Sequence, residues 1–203
     1  MHPALSQLYA DHFNFIRLLQ CLDAEVTRYE VAHTEQPRLP LILDIIECFR
    51  VYPGGYHHPL ENLAIESLLK KNLPQSEKLW RMRAEHHQLE KLSQRAENVF
   101  NAVANETVVS IDDLVTAGRE YTQRQVEHIH FENMEVYPLF ERFFMDKEWD
   151  NMTSRIESAS DPAFSAAVKG EFASLYRSII QTGQAEGRSV HVRGFSRLER
   201  VSQ

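Results

Sequence analysis

The sequence contains little glycine, proline or cysteine. Seven glycines and eight prolines in 203 residues are too few for a collagen-like, low-complexity or turn-rich all-β chain, because those classes depend on these residues. The two cysteines, Cys21 and Cys48, make no disulfide framework, and their number and spacing fit no zinc site. We interpret them as reduced thiols, which predicts a cytoplasmic protein.

The sequence also lacks a long apolar run and an excess of positive charge. No apolar run approaches the roughly 18 residues of a membrane-spanning helix, and the N-terminus has no basic segment before an apolar one, so we expect no signal peptide. The formal net charge of −7 disfavours binding to nucleic acid or to an anionic membrane. The content of 43% hydrophobic and 25% charged residues is typical of an ordered globular domain.

Apolar residues recur with the helical period, and no strand-like alternation persists. The pattern predicts four long helices, over about 4–32, 41–70, 76–103 and 111–139. Short connections between them favour an all-α fold, an antiparallel up-down four-helix bundle. A fifth helix after Asp161-Pro162 is expected to pack outside this bundle. We therefore predict a bundle domain over 1–148 and a helical extension with a polar tail over 149–203.

Local signals indicate where these helices begin and where they are disturbed. Ser76 and Ser110 are predicted N-caps, the second within a Ser-x-x-Asp capping box. Pro53-Gly54-Gly55 is expected to interrupt the second helix, because proline lacks the N–H and glycine is a poor helix former. Pro138 is expected to kink the fourth helix.

Histidine is abundant, with ten residues, and four histidines interrupt the apolar stripes, one in each long helix. A single histidine on a core face is usually a packed, hydrogen-bonded residue. Four buried imidazoles would each need a partner or cost a few kcal/mol, and convergence on metal satisfies all of them together. At about 1.5 Å of rise per residue, the four can share one layer of the bundle: His12, His57, His86 and His128.

Two acidic residues join these histidines. The spacings His57-x-x-x-Glu61 and His128-x-x-x-Glu132 place a carboxylate one helical turn after each histidine, on the same face. We predict that the six residues bind two divalent ions, each held by about two histidines, with the carboxylates as bridges. Imidazole with carboxylate favours iron, manganese or zinc over calcium or magnesium. Positions left open on the ions would permit chemistry with O₂ or NO.

The ordered series of motifs resembles the hemerythrin-like, or HHE cation-binding, domain over about residues 1–148. The resemblance implies a four-helix bundle that holds an oxo- or hydroxo-bridged pair of non-haem iron ions. It would make the four histidines terminal ligands and the two glutamates bridging ligands. The fifth helix also looks like the C-terminal extension of bacterial members. The fragments that carry the resemblance are Asp11-His12-Phe13-Asn14, His57-His58-Pro59-Leu60-Glu61, Glu85-His86-His87-Gln88, His128-x-x-x-Glu132 and Val136-Tyr137-Pro138-Leu139.

Several alternative ligands remain open from the sequence. The pair His130-x-x-x-x-Glu135 competes with His128 and Glu132, which we prefer because they repeat the spacing of the second helix on the apolar stripe. His58 and His87 lie about 100° off their stripes. We expect both to lie outside the ligand set or to be exposed, although His58 could be a fifth histidine donor.

A ferritin-like site is a further alternative, because Glu-x-x-His occurs at Glu30/His33 and at Glu127/His130. We discount it, since His33 would lie about 30 Å along the helix axis from His12.

The resemblance implies that the protein binds or senses O₂, NO or iron. There are two alternative functions. One is a redox enzyme that acts on peroxide or NO at the same centre, and the other is a module with a structural zinc or mixed-metal site. The only partner predicted is a small ligand, and an oligomer is left open.

Overall fold

The computed structural model describes residues 1–30, 36–159, 170 and 172–178. Every regular element in these ranges is helical, and no strand occurs in them, so the predicted all-α class is confirmed for this part of the chain. The elements follow one another as α1 (Pro3–Glu30), α2 (Leu39–Tyr52), π1 (Pro53–His57), α3 (His58–Leu69), α4 (Ser76–Ala104), α5 (Ile111–Phe131), π2 (Glu132–Val136), α6 (Tyr137–Phe143) and α7 (Asp146–Ala159), where π1 and π2 are short π-helical segments.

The long helices contact one another in a closed ring. α1 packs against α2 and α5, and α4 packs against α2, α3 and α5. Two apolar clusters fill the interior, one containing Phe15 and Leu19 and the other containing Leu5 and Leu8. Because all four lie on α1, the clusters are separated along its axis, and the buried polar residues Asp11 and His12 lie between them. The fold therefore encloses a polar layer between two apolar regions.

The two π-helical segments each end just before a proline. The His58 N–H donates to the Pro53 carbonyl, five residues back, and the Tyr137 N–H donates to the Glu132 carbonyl. Proline has no N–H and its ring clashes with the carbonyl four residues back, and the wider turn relieves this conflict. The sequence located both irregular turns. The α-helix is interrupted at Pro53-Gly54-Gly55 as predicted, since α2 ends at Tyr52 and α3 begins at His58, but the interruption is a π-helical turn and not a break in helical hydrogen bonding.

The predicted N-caps had opposite outcomes. The Ser110 hydroxyl accepts a hydrogen bond from the Asp113 N–H at 3.0 Å, which confirms the capping box at the start of α5. Ser76 was predicted wrongly, because it is the first residue of α4 and its hydroxyl instead donates to the Leu73 carbonyl at 2.6 Å.

The sequence reading missed α7, which follows α6 after two residues. Trp149, Met152 and Ile156 are buried at spacings of three and four, and the Trp149 ring lies edge-on to Phe140 at 5.9 Å. The same spacing is visible in the sequence, so the signal was present, although the only helix predicted within the extension began at Asp161-Pro162. None of the helices in the described ranges combines the length and the apolar character that a membrane crossing requires.

Only part of the predicted fifth helix falls within the described residues. Residues 172–178 are helical, and Phe172 stacks on Tyr52 at 4.4 Å. The Tyr176 hydroxyl accepts a hydrogen bond from Arg17 on α1 at 3.1 Å. This stretch therefore packs on the outside of α1 and α2, as expected. Its predicted start at Asp161-Pro162 and the polar tail lie outside the described residues.

Substituting Gly118 tests the close approach of α5 to α1. A Cβ atom at Gly118 would lie 2.6 Å from Cγ2 of Val26, and a β-branched side chain has little freedom to move away. We expect Gly118→Ala to lower the free energy of unfolding of the metal-free protein by about 1–3 kcal/mol, measured by urea denaturation. Gly54→Ala is the control, because open space surrounds it. An equal effect of both substitutions would contradict this packing.

Candidate metal centre

All six predicted ligands are buried and lie in one polar layer. None is more than 8% exposed, and each comes from a different element of the fold. The residues and their elements are His12 of α1, His57 of π1, Glu61 of α3, His86 of α4, His128 of α5 and Glu132 of π2. The structure thus brings together side chains that lie up to 120 positions apart in the sequence.

The first group of candidate ligand atoms contains two histidines and two carboxylates. The Nε2 atoms of His12 and His57 are 3.0 Å apart. Oε2 of Glu132 lies 3.1 Å from the His12 nitrogen, and Oε1 of Glu61 lies 3.4 Å from the His57 nitrogen. All four atoms lie within 4.8 Å of one another. We call these residues the two-histidine group.

The second group contains three histidines, His58, His86 and His128, whose ligand atoms also lie within 4.8 Å of one another. The His58 ring stacks on His86 with centroids 4.2 Å apart. His58 is half-buried beside two buried histidines, so it is a candidate ligand, which is the alternative that the sequence left open. We call these residues the three-histidine group.

The two carboxylates connect the two groups. Glu61 turns Oε1 towards His57, and its Oε2 lies 3.3 Å from Nε2 of His86. Glu132 turns Oε2 towards His12, and its Oε1 lies 2.9 Å from Nε2 of His128 and 3.2 Å from Nε2 of His86. Each carboxylate thus presents one oxygen to each group, which is the arrangement of a bridge between two ions.

Three buried atoms of the site lack a hydrogen-bond partner among the described residues: Oε2 of Glu61, Oε2 of Glu132 and Nε2 of His128. Leaving such atoms unsatisfied costs about 1–3 kcal/mol each. They nonetheless lie about 3 Å from other ligand atoms, which is the spacing of neighbouring ligands around an ion at roughly 2.1 Å. The donor set therefore fits a metal pair, and nitrogen with oxygen is a set that iron, manganese and zinc accept.

Four of the histidines have a polar partner at Nδ1. Each partner is the sequence neighbour of another candidate ligand, not of the histidine that it contacts. Asp11 accepts from Nδ1 of His57 at 3.2 Å, although it is the neighbour of His12. The other three pairs repeat this relation: Asn62 with Nδ1 of His86 at 3.2 Å, Glu85 with Nδ1 of His128 at 2.9 Å, and Asn133 with Nδ1 of His12 at 2.8 Å.

These contacts close a ring around the layer. Successive residues of an α-helix point about 100° apart, so the neighbour of an inward-facing ligand points sideways at the adjacent helix. A partner on Nδ1 fixes the ring orientation with Nε2 facing inwards. The sequence reading did not single out these four residues, although each one adjoins a predicted ligand.

The phenol of Tyr137 is a further polar group that sequence reasoning missed. Tyr137 is fully buried, and its hydroxyl donates to Oε1 of Glu61 at 2.6 Å and lies 3.1 Å from Nε2 of His12. In the sequence it lies on the apolar face after π2, where an aromatic residue indicates only core packing.

The charges of the site favour ionised carboxylates and protonated imidazoles at His57 and His128, whereas burial and the neighbouring His86 lower the pKa of His58. Burial opposes charge on His57, but Glu61 and Asp11 outweigh it and raise the pKa of His57 to about 10. Burial has the same effect on His128, where Glu132 and Glu85 outweigh it and raise the pKa to about 10. Burial raises the pKa of Glu61, as does Glu132, but the contacts with His57 and His86 outweigh both and hold it below its usual value.

The competing candidates lie outside this layer. His130 and Glu135 are exposed, and Glu135 pairs with Lys78 at 2.5 Å. His87 is exposed, 3.6 Å from Glu90. Of the ferritin-like motifs, Glu127 is exposed and accepts hydrogen bonds from Gln123 and Arg124, and Glu30 pairs with Arg119. His33 lies outside the described residues.

Comparison with known proteins decides the family. The family model described as the hemerythrin HHE cation-binding domain matches residues 3–140. The chain belongs to the hemerythrin HHE cation-binding family. No curated protein and no solved structure matches the chain. The family description implies a bound cation, and the buried histidine and glutamate cluster of this hemerythrin-family chain could hold a metal.

The raised pKa values predict that metal binding releases protons. A metal ion needs the imidazole lone pair that a proton occupies, so protons compete with the ion until the pH approaches about 10 at His57 and His128. We expect the affinity for Zn²⁺ to rise steadily between pH 6 and pH 9, roughly tenfold per pH unit for each proton displaced. Calorimetry at pH 7 in two buffers of different ionisation enthalpy measures this release. An affinity that does not change with pH would contradict the charge state.

Proposed function

We propose that this protein holds a pair of non-haem iron ions and binds or senses a small ligand such as O₂ or NO. The observation that carries the proposal is the pair of buried carboxylates, Glu61 and Glu132, each presenting one oxygen to each of two groups of histidines. A single ion, or a solvated acidic cluster, would not require this arrangement.

The two groups supply different numbers of imidazoles. His12 and His57 would hold one ion, and His58, His86 and His128 would hold the other, with the two carboxylates shared. This assignment departs from the expectation of about two histidines for each ion, because His58 joins the second group. The ion with two histidines would have one protein ligand fewer, so the asymmetry would favour binding of a small molecule on that side.

The chain itself supplies orientation and exclusion of water. An iron pair supplies redox chemistry with O₂ or NO when it is bound. Asp11, Asn62, Glu85 and Asn133 hold four of the imidazoles in place, and the apolar clusters on either side keep the layer buried. The closed ring of helix contacts supports the predicted antiparallel up-down bundle.

Metal analysis tests the function directly. Protein purified without chelators is expected to contain two iron ions per chain, measured by inductively coupled plasma mass spectrometry. Its optical spectrum is expected to change when the reduced protein meets air. Redox-silent zinc in place of iron, or fewer than two metal ions per chain, would overturn the proposal.

A matched pair of histidine substitutions tests the assignment to two ions. His58→Ala removes one of three imidazoles from the second ion, so we expect the metal content to fall from two ions to about one. His87→Ala is the control, because His87 is exposed and adjoins a candidate ligand in the same way. An unchanged metal content in the His58 variant would contradict a three-histidine ion.

A further inference from the structure

The position of Tyr137 suggests a role beyond packing, and the argument rests on the proposed metal pair. Its hydroxyl contacts two candidate ligand atoms, Oε1 of Glu61 and Nε2 of His12. Both atoms belong to the two-histidine group. The oxygen of Glu61 that faces the three-histidine group is Oε2, and the hydroxyl contacts Oε1 instead. The phenol is therefore placed on the side of one ion.

The contacts of this hydroxyl would change once the ion is bound. Nε2 of His12 would give its lone pair to the ion and could no longer accept a proton. Oε1 of Glu61 would share electron density with the ion and would become a weaker acceptor. The hydroxyl, which can rotate about its C–O bond, could then turn its single proton from Oε1 to a stronger acceptor, such as an anion, in the same place.

The surroundings of Tyr137 hold its ring in position. The ring lies parallel to His12 with centroids 4.9 Å apart, edge-on to Tyr9 at 4.9 Å, and stacks with Phe140 at 5.6 Å. A ring packed on three sides cannot swing away, so its oxygen stays next to the ligand atoms of the two-histidine ion. A fixed donor of this kind costs little reorganisation when a ligand arrives.

We propose that Tyr137 is the hydrogen-bond donor to a small ligand that binds at the ion held by His12 and His57. Such a donor favours ligands with a terminal atom that accepts a hydrogen bond, namely small anions and reduced forms of O₂, over ligands without one. Tyr137 would therefore set which ligands the centre retains, while the histidines and glutamates hold the metal.

Azide is a suitable probe, because it is a small anion that accepts hydrogen bonds and its binding to a ferric centre is visible in the optical spectrum. We expect Tyr137→Phe to keep two iron ions per chain and to weaken azide binding about three- to tenfold, which is the contribution of one hydrogen bond. Tyr9→Phe is the control, since its hydroxyl interacts with Glu141 outside the centre. It should leave the azide affinity unchanged.

The outcomes separate this inference from the proposed function. Wild-type protein without two metal ions overturns both. Full metal content with equal azide affinity in wild type and Tyr137→Phe overturns the donor role alone. A phenolate-to-iron absorption band in wild type that disappears in Tyr137→Phe also overturns it, because the oxygen would then be a ligand of the ion itself.

Wild-type protein supplies a test that needs no variant. The infrared stretching band of bound azide is expected to shift between H₂O and D₂O, because an exchangeable proton donates to it. No shift in the wild-type protein would contradict the donor role.

Discussion

The structure depends on two carboxylates, Glu61 and Glu132, that lie at the centre of the helices with essentially no exposure to solvent. An unpaired charge in such a place costs several kcal/mol, and only close and well-oriented partners offset that cost. Here the partners are imidazoles from four of the elements around the layer. The apolar clusters lie on either side of this layer, so its charges need partners, which are protons in the metal-free protein and would be metal ions in the state that we propose.

The ring of supporting contacts explains how a bundle keeps such a site in register. Each residue that accepts from or contacts an imidazole Nδ1 belongs to the same helical segment as the candidate ligand beside it in the sequence. A shift of one helix therefore displaces its own candidate ligand and also the imidazole on the neighbouring helix. Asp11 shows this coupling clearly, since it adjoins His12, receives hydrogen bonds from Tyr52 and Gln7, and contacts His57. The geometry of the polar layer and the packing of the helices are therefore one constraint.

Much of this arrangement is encoded in short-range sequence pattern. Helical periodicity placed His12, His86 and His128 on inward faces, and a spacing of four placed Glu61 and Glu132 beside them. His58 was kept outside the preferred set for a specific reason: regular helical geometry puts it about 100° from His57, whereas the two residues lie at the junction of π1 and α3, where the wider turn changes the phase. His87 follows His86 within a regular helix and is exposed, as that geometry predicts.

Other features could not be predicted, because they depend on the tertiary arrangement. Nothing local distinguishes Asn62 or Asn133 from an exposed asparagine, since the histidine that each one contacts belongs to another helix. Tyr137 resembles a core aromatic until its hydroxyl is seen beside Glu61. Local pattern thus gives the inward faces of the helices, and the contacts between helices decide what those faces bind.

Anomalous X-ray diffraction at the iron edge, from crystals of protein purified without chelators, tests the central claim most directly. The account predicts two iron peaks per chain, one beside the Nε2 atoms of His12 and His57 and the other among His58, His86 and His128, with Glu61 and Glu132 bonded to both. A single peak, or peaks away from the two carboxylates, would contradict it.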